Sequence, residues 1–315
     1  MSHLRQRAGT CAHFASPTII KTALGPVECA SCGEGPAIIA LHGGLGGFDQ
    51  SLLLARAAVS APGYQILAIS RPGYLGTPLN AGRTPEEQAD LCKALLDALE
   101  IGKAAIIAVS AGGLAALQFA LRHPERCWGL VLVSAATGHL DAPPEVPRRL
   151  AAMRLLSRIP FATALVRWRM GLTPEASARR SIAAADLRRS TLAHPDAGPL
   201  MLALSLSVLE RLPERLPGVM NDMAQLEAAD VYPLEDISPP VLVVHGTGDR
   251  VVPFSHALEV ANRMQRSELM AIENGEHVSL FTHLDVIRDR VRLFLARHVP
   301  APSCAQSDAT RRCGS

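Results

Sequence analysis

The stretch AAIIAVSAGGLAAL, Ala104 to Leu117, decides the fold. Its first six residues are apolar and partly β-branched, and a single serine, Ser110, follows them. From Ala111 onward, small and apolar residues continue in a helical pattern. A short apolar run passing into such a pattern reads as a buried parallel strand feeding a helix. At the junction, Ala108 to Gly112 approximates G-x-S-x-G, in which a sharp, strained turn lifts a serine oxygen out of a sheet. Small residues flank that serine because strand and helix backbones approach closely. Gly112 meets this demand, and Ala108 stands where the first glycine would be. So short a match also fits a turn that serves packing alone, and the rest of the chain has to choose.

Working outward, further apolar runs read as strands at Thr18–Thr22, Val27–Cys32, Ala37–Leu41, Tyr64–Ser70, Leu130–Ser134, Val241–His245 and Glu268–Ile272. Helical patterns lie between most of them: Gln50–Ser60, one capped by Thr84 with Glu87 in the capping-box position and stopped by Gly102, Phe254–Met264, and Val278–Arg297. Strands alternating with amphipathic helices imply a mostly parallel sheet of about eight strands covered on both faces. After the sixth strand the alternation breaks. From Gly138 to Tyr232 the patterns are helical and punctuated by prolines, as expected of an all-helical cap. The expected organisation is an N-terminal extension (1–17), an α/β core (18–137 and 233–299) interrupted by the cap (138–232), and a disordered tail (300–315).

At 315 residues and 48% hydrophobic content the chain is large enough for one big α/β domain with an insertion. A formal charge of +2 is too small to argue for nucleic acid or an anionic membrane surface, and no run is long enough to span a bilayer. The first residues lack the uninterrupted apolar core of a signal peptide. Seven cysteines, an odd number without framework spacing, fit free thiols in a reducing cytoplasm. Cys29 and Cys32 form a lone C-x-x-C, where a zinc site wants a second pair or nearby histidines, so no metal is expected.

A serine hydroxyl is a poor nucleophile until a base takes its proton, and the base needs a third group to orient it. Ser110, Asp249 and His277 all fall at carboxyl ends of expected strands, the edge where open parallel sheets place their sites. Their chain order is nucleophile, acid, base. The loop His42-Gly43-Gly44-Leu45-Gly46-Gly47 lacks the order of a dinucleotide site and the lysine of a P-loop. It suits either a tight packing turn or N–H groups aimed at an oxyanion. His42 and His245 read as loop-orienting residues. The doublets Arg148-Arg149, Arg179-Arg180 and Arg188-Arg189 read as solvated helix faces, with attraction of an anionic substrate as the alternative.

Four motifs together, HGGLGG, AVSAGG, HGTGDRVVP with Asp249 and NGEH with His277, resemble the α/β-hydrolase superfamily over about Ile20 to His298. SRPGYLGTP is similar to another loop of that superfamily, with Ser70 where an aspartate is frequent. The resemblance implies Ser110 as nucleophile, His277 as general base then acid, and Asp249 as the orienting carboxylate, with Asp141 as the rival acid. It also implies an oxyanion hole from the N–H groups of Ala111 and Gly44, with Leu45 as a one-residue alternative. No cofactor is implied, and the expected partner is a small-molecule substrate, with no nucleic acid and no membrane insertion. Serine at the elbow argues against dehalogenase and epoxide hydrolase chemistry, whose enzymes use aspartate there. What remains is an acyl-enzyme hydrolase of a small, largely apolar ester or lactone. The alternatives are a C–C bond hydrolase of a diketone-like ring-fission product, an amide hydrolase, and a slow receptor-like hydrolase. His139 stands at the mouth of the cap.

Overall fold

The apolar runs pair into one sheet in the computed structural model, which describes residues 16–59, 62–142, 145–159 and 161–301. The strands are β1 (Thr18–Thr22), β2 (Gly25–Cys32), β3 (Ala37–Leu41), β4 (Gln65–Ile69), β5 (Ala104–Val109), β6 (Cys127–Val133), β7 (Val241–Gly246) and β8 (Ser267–Ile272). Their spatial order is β1-β2-β4-β3-β5-β6-β7-β8. β1 with β2 and β2 with β4 are antiparallel, and every other pairing is parallel. The expected N-terminal extension and C-terminal tail fall, apart from 16–17 and 300–301, outside the described residues, and so do Cys304 and Cys313.

The helices are α1 (Phe48–Ala58), α2 (Pro85–Ala98), α3 (Gly113–Arg122), α4 (Glu145–Leu156), α5 (Ala162–Leu172), α6 (Pro174–Ala178), α7 (Ala185–Ala193), α8 (Ala197–Ser207), α9 (Leu216–Glu227), α10 (Ser255–Arg263), α11 (Ser279–Thr282) and α12 (Leu284–His298). Strand residues alternate between two apolar layers, as side chains of a pleated strand must. Ile39, Leu41, Ile106, Ala108, Leu130, Leu132, Val241 and Val243 pack under α2, α3 and α10. Ile38, Ala40, Ala105, Ile107, Val131, Val133, Leu242 and Val244 pack under α1 and α12. Burial on both faces is why these strands read as continuous apolar runs.

The elements α4 to α9 lie between β6 and β7 and form the helical cap. Their own small core joins Leu150, Met153, Leu209, Leu212 and Val219 to Tyr74 of the strand-side loop. β3 and β5 are neighbours, yet the helices that follow them leave to opposite faces, α1 to one layer and α3 to the other. That divergence opens a crevice at the carboxyl edge of the sheet, where the serine loop and the glycine-rich loop meet.

Several boundaries differ from the sequence reading for physical reasons. α1 begins two residues early because the N–H of Phe48 is satisfied by Ser70 Oγ at 2.9 Å. α2 ends before Gly102: Glu100 takes the left-handed turn at φ 55°, and Ile101 N–H closes onto Leu96 O. β6 starts at Cys127, extended past a register shift opposite Ala104–Ala105. The closing helix is broken at His283 (φ −127°, ψ 40°) into α11 and α12. Cys29 and Cys32 point to opposite layers of the sheet and do not form a shared site. Burial pushes the thiols of Cys29, Cys92 and Cys127 up to about 12, which keeps them protonated.

The capping box at α2 is present in full. Thr84 Oγ1 accepts from Glu87 N–H (3.2 Å), and Glu87 Oε2 accepts from Thr84 N–H (3.1 Å). Thr84→Ala is expected to cost about 1 kcal/mol of unfolding free energy in a urea titration.

Candidate active site

β5 delivers Ser110 to the crevice in a left-handed backbone conformation, φ 53°, which an L side chain adopts only under constraint. The constraint comes from close packing on two sides. Ser110 O accepts from Ala136 N–H at 3.0 Å, and a Cβ on Gly113 would lie 2.1 Å from Ala136 O. On the other side Gly43 passes the serine so closely that its own Cβ would sit 2.9 Å from Ser110 Cβ. Small residues at these points therefore hold the hydroxyl proud of the sheet.

β7 and β8 supply the two partners. Asp249 follows β7, and its Oδ1 accepts from Val251 N–H (2.8 Å) and Val252 N–H (3.0 Å). His277 follows β8 in a loop tied to the first by Gly248 N–H to Gly275 O (3.0 Å) and Asn274 N–H to Thr247 Oγ1 (2.8 Å). So fixed, His277 places Nδ1 2.8 Å from Asp249 Oδ2 and Nε2 3.2 Å from Ser110 Oγ. The Asp249 side chain is wholly buried. Burial alone would raise its pKa, but hydrogen bonds from His245 and His277 and the charge of His277 outweigh it and hold the carboxyl well below the usual range. The carboxylate stays charged and can accept from Nδ1–H, an arrangement that in the neutral imidazole leaves Nε2 to accept from the serine. Asp141, the rival acid, is exposed and pairs instead with His139 at 3.2 Å. His139 itself turns to Glu227 O and does not line the crevice.

The glycine-rich loop faces this array. Gly44 is open to the crevice, and Ala111 is half-buried beside Ser110. Leu45, at φ 59°, turns its carbonyl away from the serine, where it accepts from Gln50 Nε2 (3.3 Å) and Arg215 Nη1 (3.4 Å). His42, buried at the loop's start, donates from Nδ1 to Gly43 O (2.7 Å) and accepts Arg71 N–H at Nε2 (3.0 Å). Burial and the charge of Arg71 lower its pKa, so it is neutral, as this bonding requires. His245 donates to Val252 O at 3.0 Å and so steadies the Asp249 loop.

Sequence reading did not find the second tier of contacts. The Arg71 guanidinium, 2% exposed, donates to His42 O (2.9 Å) and forms a bidentate pair with Asp222 of α9 (2.8 and 2.5 Å). Tyr74 OH donates to the same carboxylate at 2.5 Å. Arg215, 1% exposed, pairs with Asp49 at 3.1 and 2.6 Å, and Gln50 also donates to Ser207 Oγ (3.0 Å). Three residues near the cap's C-terminal end thus fasten the glycine-rich loop from outside. Ser70, the departure from the superfamily's frequent aspartate, donates to the buried Glu28 carboxylate (2.6 Å), which restores a negative charge at that corner. Asp222→Ala would leave the Arg71 cation buried without a counter-charge, held only by neutral acceptors such as His42 O and Gln88 Oε1. We expect a loss of about 3–5 kcal/mol in denaturant unfolding.

Beneath the cap lies a cavity of about 910 Å³ that contains Ser110 and His277. Leu54, Val133, Met153, Met201, Leu204 and Phe281 supply apolar walls. No carboxylate lines it among the described residues, whereas Arg149, Arg169 and Arg180 reach its rim. The arginine doublets therefore divide. Arg149 and Arg180 turn to the cavity, while Arg188 is buried and donates to Ile182 O (2.8 Å). Among the described residues no three His, Cys, Asp or Glu side chains converge as a metal site needs.

A family model described as the alpha/beta hydrolase fold matches residues 36–284, and the chain belongs to that family. It is a hydrolase of this fold. A 2-hydroxy-6-oxo-6-phenylhexa-2,4-dienoate hydrolase of Burkholderia cepacia is 28% identical over 278 residues, covering 86% of this chain and 91% of that protein. An alpha/beta hydrolase fold protein from Nakamurella multipartita superposes with a TM-score of 0.77 at 32% identity, covering 90% of this chain and 100% of that one. The enol-lactonase from Burkholderia xenovorans LB400 shares the fold at a TM-score of 0.65 and 20% identity, covering 89% of this chain and 100% of its own.

Proposed function

We propose that this chain is a serine hydrolase that cleaves a small, largely apolar carboxylic ester or lactone through an acyl-enzyme on Ser110. The observation that carries the reading is His277, bonded at one ring nitrogen to Asp249 (2.8 Å) and within reach of Ser110 Oγ at the other (3.2 Å). In this scheme Ser110 Oγ attacks the carbonyl carbon as Nε2 of His277 takes its proton. The developing oxyanion is received by the N–H groups of Ala111 and Gly44, with Leu45 as the alternative second donor. Each donor contributes about 3 kcal/mol to the transition state. Collapse expels the alcohol, which takes the proton back from His277. Water, activated by the same imidazole, then releases the acid. Every proton transfer in the scheme falls to His277, and Asp249 stabilises the imidazolium without itself becoming protonated.

The apolar walls of the cavity support a largely apolar acyl or alcohol group. A second reading, hydrolysis of a carbon–carbon bond next to a ketone, draws support from the relative of Burkholderia cepacia, whose name describes a dienoate hydrolase. The same serine would accept the ketone carbonyl. To test both, the folded protein is treated with a fluorophosphonate and assayed on p-nitrophenyl esters from acetate to decanoate, then on a ring-fission diketone. Labelling of Ser110 with ester turnover supports the first reading. Labelling with turnover of the diketone alone moves the assignment to the second. Absence of labelling defeats both.

A further inference from the structure

The helix α5 is apolar on two opposite faces. Val166 and Met170 turn inward, where they join the cap's small core and line the cavity. On the other side Leu165, Trp168 and Leu172, spaced i, i+3 and i+7, form one stripe, and Phe161, in a left-handed conformation just before the helix, extends the exposed apolar surface at its start. That surface is bare: Phe161 is 86% exposed and Trp168 64%. Backbone hydrogen bonds from Arg158 to Leu155, Ala162 to Ile159 and Leu165 to Phe161 carry the surface back through the preceding turn to exposed Leu155 and Ile159. Six of the fourteen exposed large apolar side chains among the described residues therefore fall within this short segment. Together they present on the order of several hundred Å² of apolar surface, at or above the largest patch a monomer ordinarily leaves in water.

Charge is concentrated in the same place. From the start of α4, residues 145–180 contain eight arginines and two acids, Glu145 and Glu175, a formal +6 in a chain whose total is +2. The whole-chain sum conceals this asymmetry because acids elsewhere cancel it. Only Arg167 of the eight has an ion pair among the described residues, with Glu210 at 3.2 Å, and Glu175 turns to Arg188. Arg154 and Arg158 stand exposed beside Leu155 and Ile159. A second copy of the chain meeting this face through a two-fold axis would set two such positive surfaces against each other, with Glu175 and Glu210 already paired to Arg188 and Arg167. An anionic bilayer supplies both requirements at once, an apolar layer for the stripe and diffuse negative charge for the arginines. No helix among the described residues is long and apolar enough to cross a membrane, so the contact is a surface one.

We propose that α4 and α5, with Ile159 and Phe161 between them, dock the chain onto an anionic phospholipid surface, with the cavity rim at Arg149 and Arg169 brought close to the lipid. The inference concerns binding alone and is independent of the catalytic reading. It is tested with the full chain, and again with Ser110→Ala, so that failure of catalysis and failure of docking are separate results.

The chain carries its own reporter. Of its two tryptophans, Trp128 is buried and donates to Ala37 O (3.2 Å), so a vesicle-induced blue shift in emission reads Trp168. Vesicles of phosphatidylcholine with one quarter phosphatidylglycerol are expected to sediment the protein and shift its emission. Pure phosphatidylcholine should bind at least about tenfold more weakly, and 0.5 M salt should weaken binding comparably. Phe161→Ser and the pair Arg154→Glu with Arg158→Glu, shown to be folded by near-ultraviolet circular dichroism, should each reduce partitioning about tenfold or more. Absence of sedimentation with any vesicle overturns the proposal, as does binding unchanged by these variants. A dimer in solution whose Trp168 emission is already blue-shifted without lipid would assign the face to a second copy and also overturn it.

Discussion

Ser110→Ala is expected to lower kcat on a p-nitrophenyl ester by on the order of 10⁶-fold and to abolish fluorophosphonate labelling, while the melting temperature stays within a degree or two of wild type. The size of the loss follows from cooperation among the three residues. Without the hydroxyl, the His277–Asp249 pair has nothing to deprotonate except water. The oxyanion donors and the cavity still act, so roughly 10³-fold of catalysis over water should persist. Stability is spared because, among the described residues, the hydroxyl's only side-chain hydrogen bond is to His277, at 3.2 Å. Ser110→Gly separates the two effects further. A glycine adopts φ 53° without strain, so this equally inactive variant should be more stable than the alanine variant by about 1 kcal/mol. Steady-state kinetics beside thermal melts would check both. Alanine-variant turnover within tenfold of wild type would remove Ser110 from the nucleophile role.

Asp249→Asn should lower kcat by about 10⁴-fold with KM little changed. The amide can donate to Nδ1 of His277, which favours the tautomer with its proton on Nε2, and that nitrogen can no longer accept from Ser110. The same site makes a prediction for acid stability. Its folded pKa lies below the unfolded value of 3.8, so the unfolded chain takes up the proton first as pH falls. The contribution to stability is therefore complete above about pH 4 and is lost as pH falls through the folded value. Denaturant titrations of wild type and Asp249→Asn should show a gap above pH 4 that shrinks as pH falls from 4 towards the folded value. A gap that widened with acid would contradict the sign.

Local signals were the ones the sequence could express. Thr84 and Glu87 stand three apart and form their capping box, and the apolar run ending at Val109 did give way to a strained serine turn. Asp249 and His277 were legible because each follows an apolar strand directly, at the sheet edge where loops converge. The pairs Arg71–Asp222 and Arg215–Asp49 were not legible, since they join positions 151 and 166 residues apart and no period links them. Gly102 misled for a related reason: glycine permits a helix stop, but Glu100 accepted the left-handed turn first, where the Ile101 N–H could close onto Leu96. Periodicity likewise could not tell which of the two apolar faces of α5 turns inward, because both repeat with the same spacing.

The fastening of the glycine-rich loop has a practical meaning for anyone reshaping this molecule. Ser207, Arg215 and Asp222 make the cap two structures in one, a mount and a mould. The mount, α9 with the residues just before it, is joined to the floor of the candidate site, and removing it would strand Arg71 and Asp49 as unmatched charges. The mould, the inward sides of α4, α5, α6 and α8, lines the space a ligand would fill, although α8 also packs on the core through Met201 and ends in the fastening residue Ser207. Transplanting an entire foreign cap should therefore disable the protein unless those three polar residues travel with it. Recutting the mould, for instance at Ala152, Val166 or Ala176, which line the cavity and are not buried in either core, should change what fits and leave the floor beneath in register.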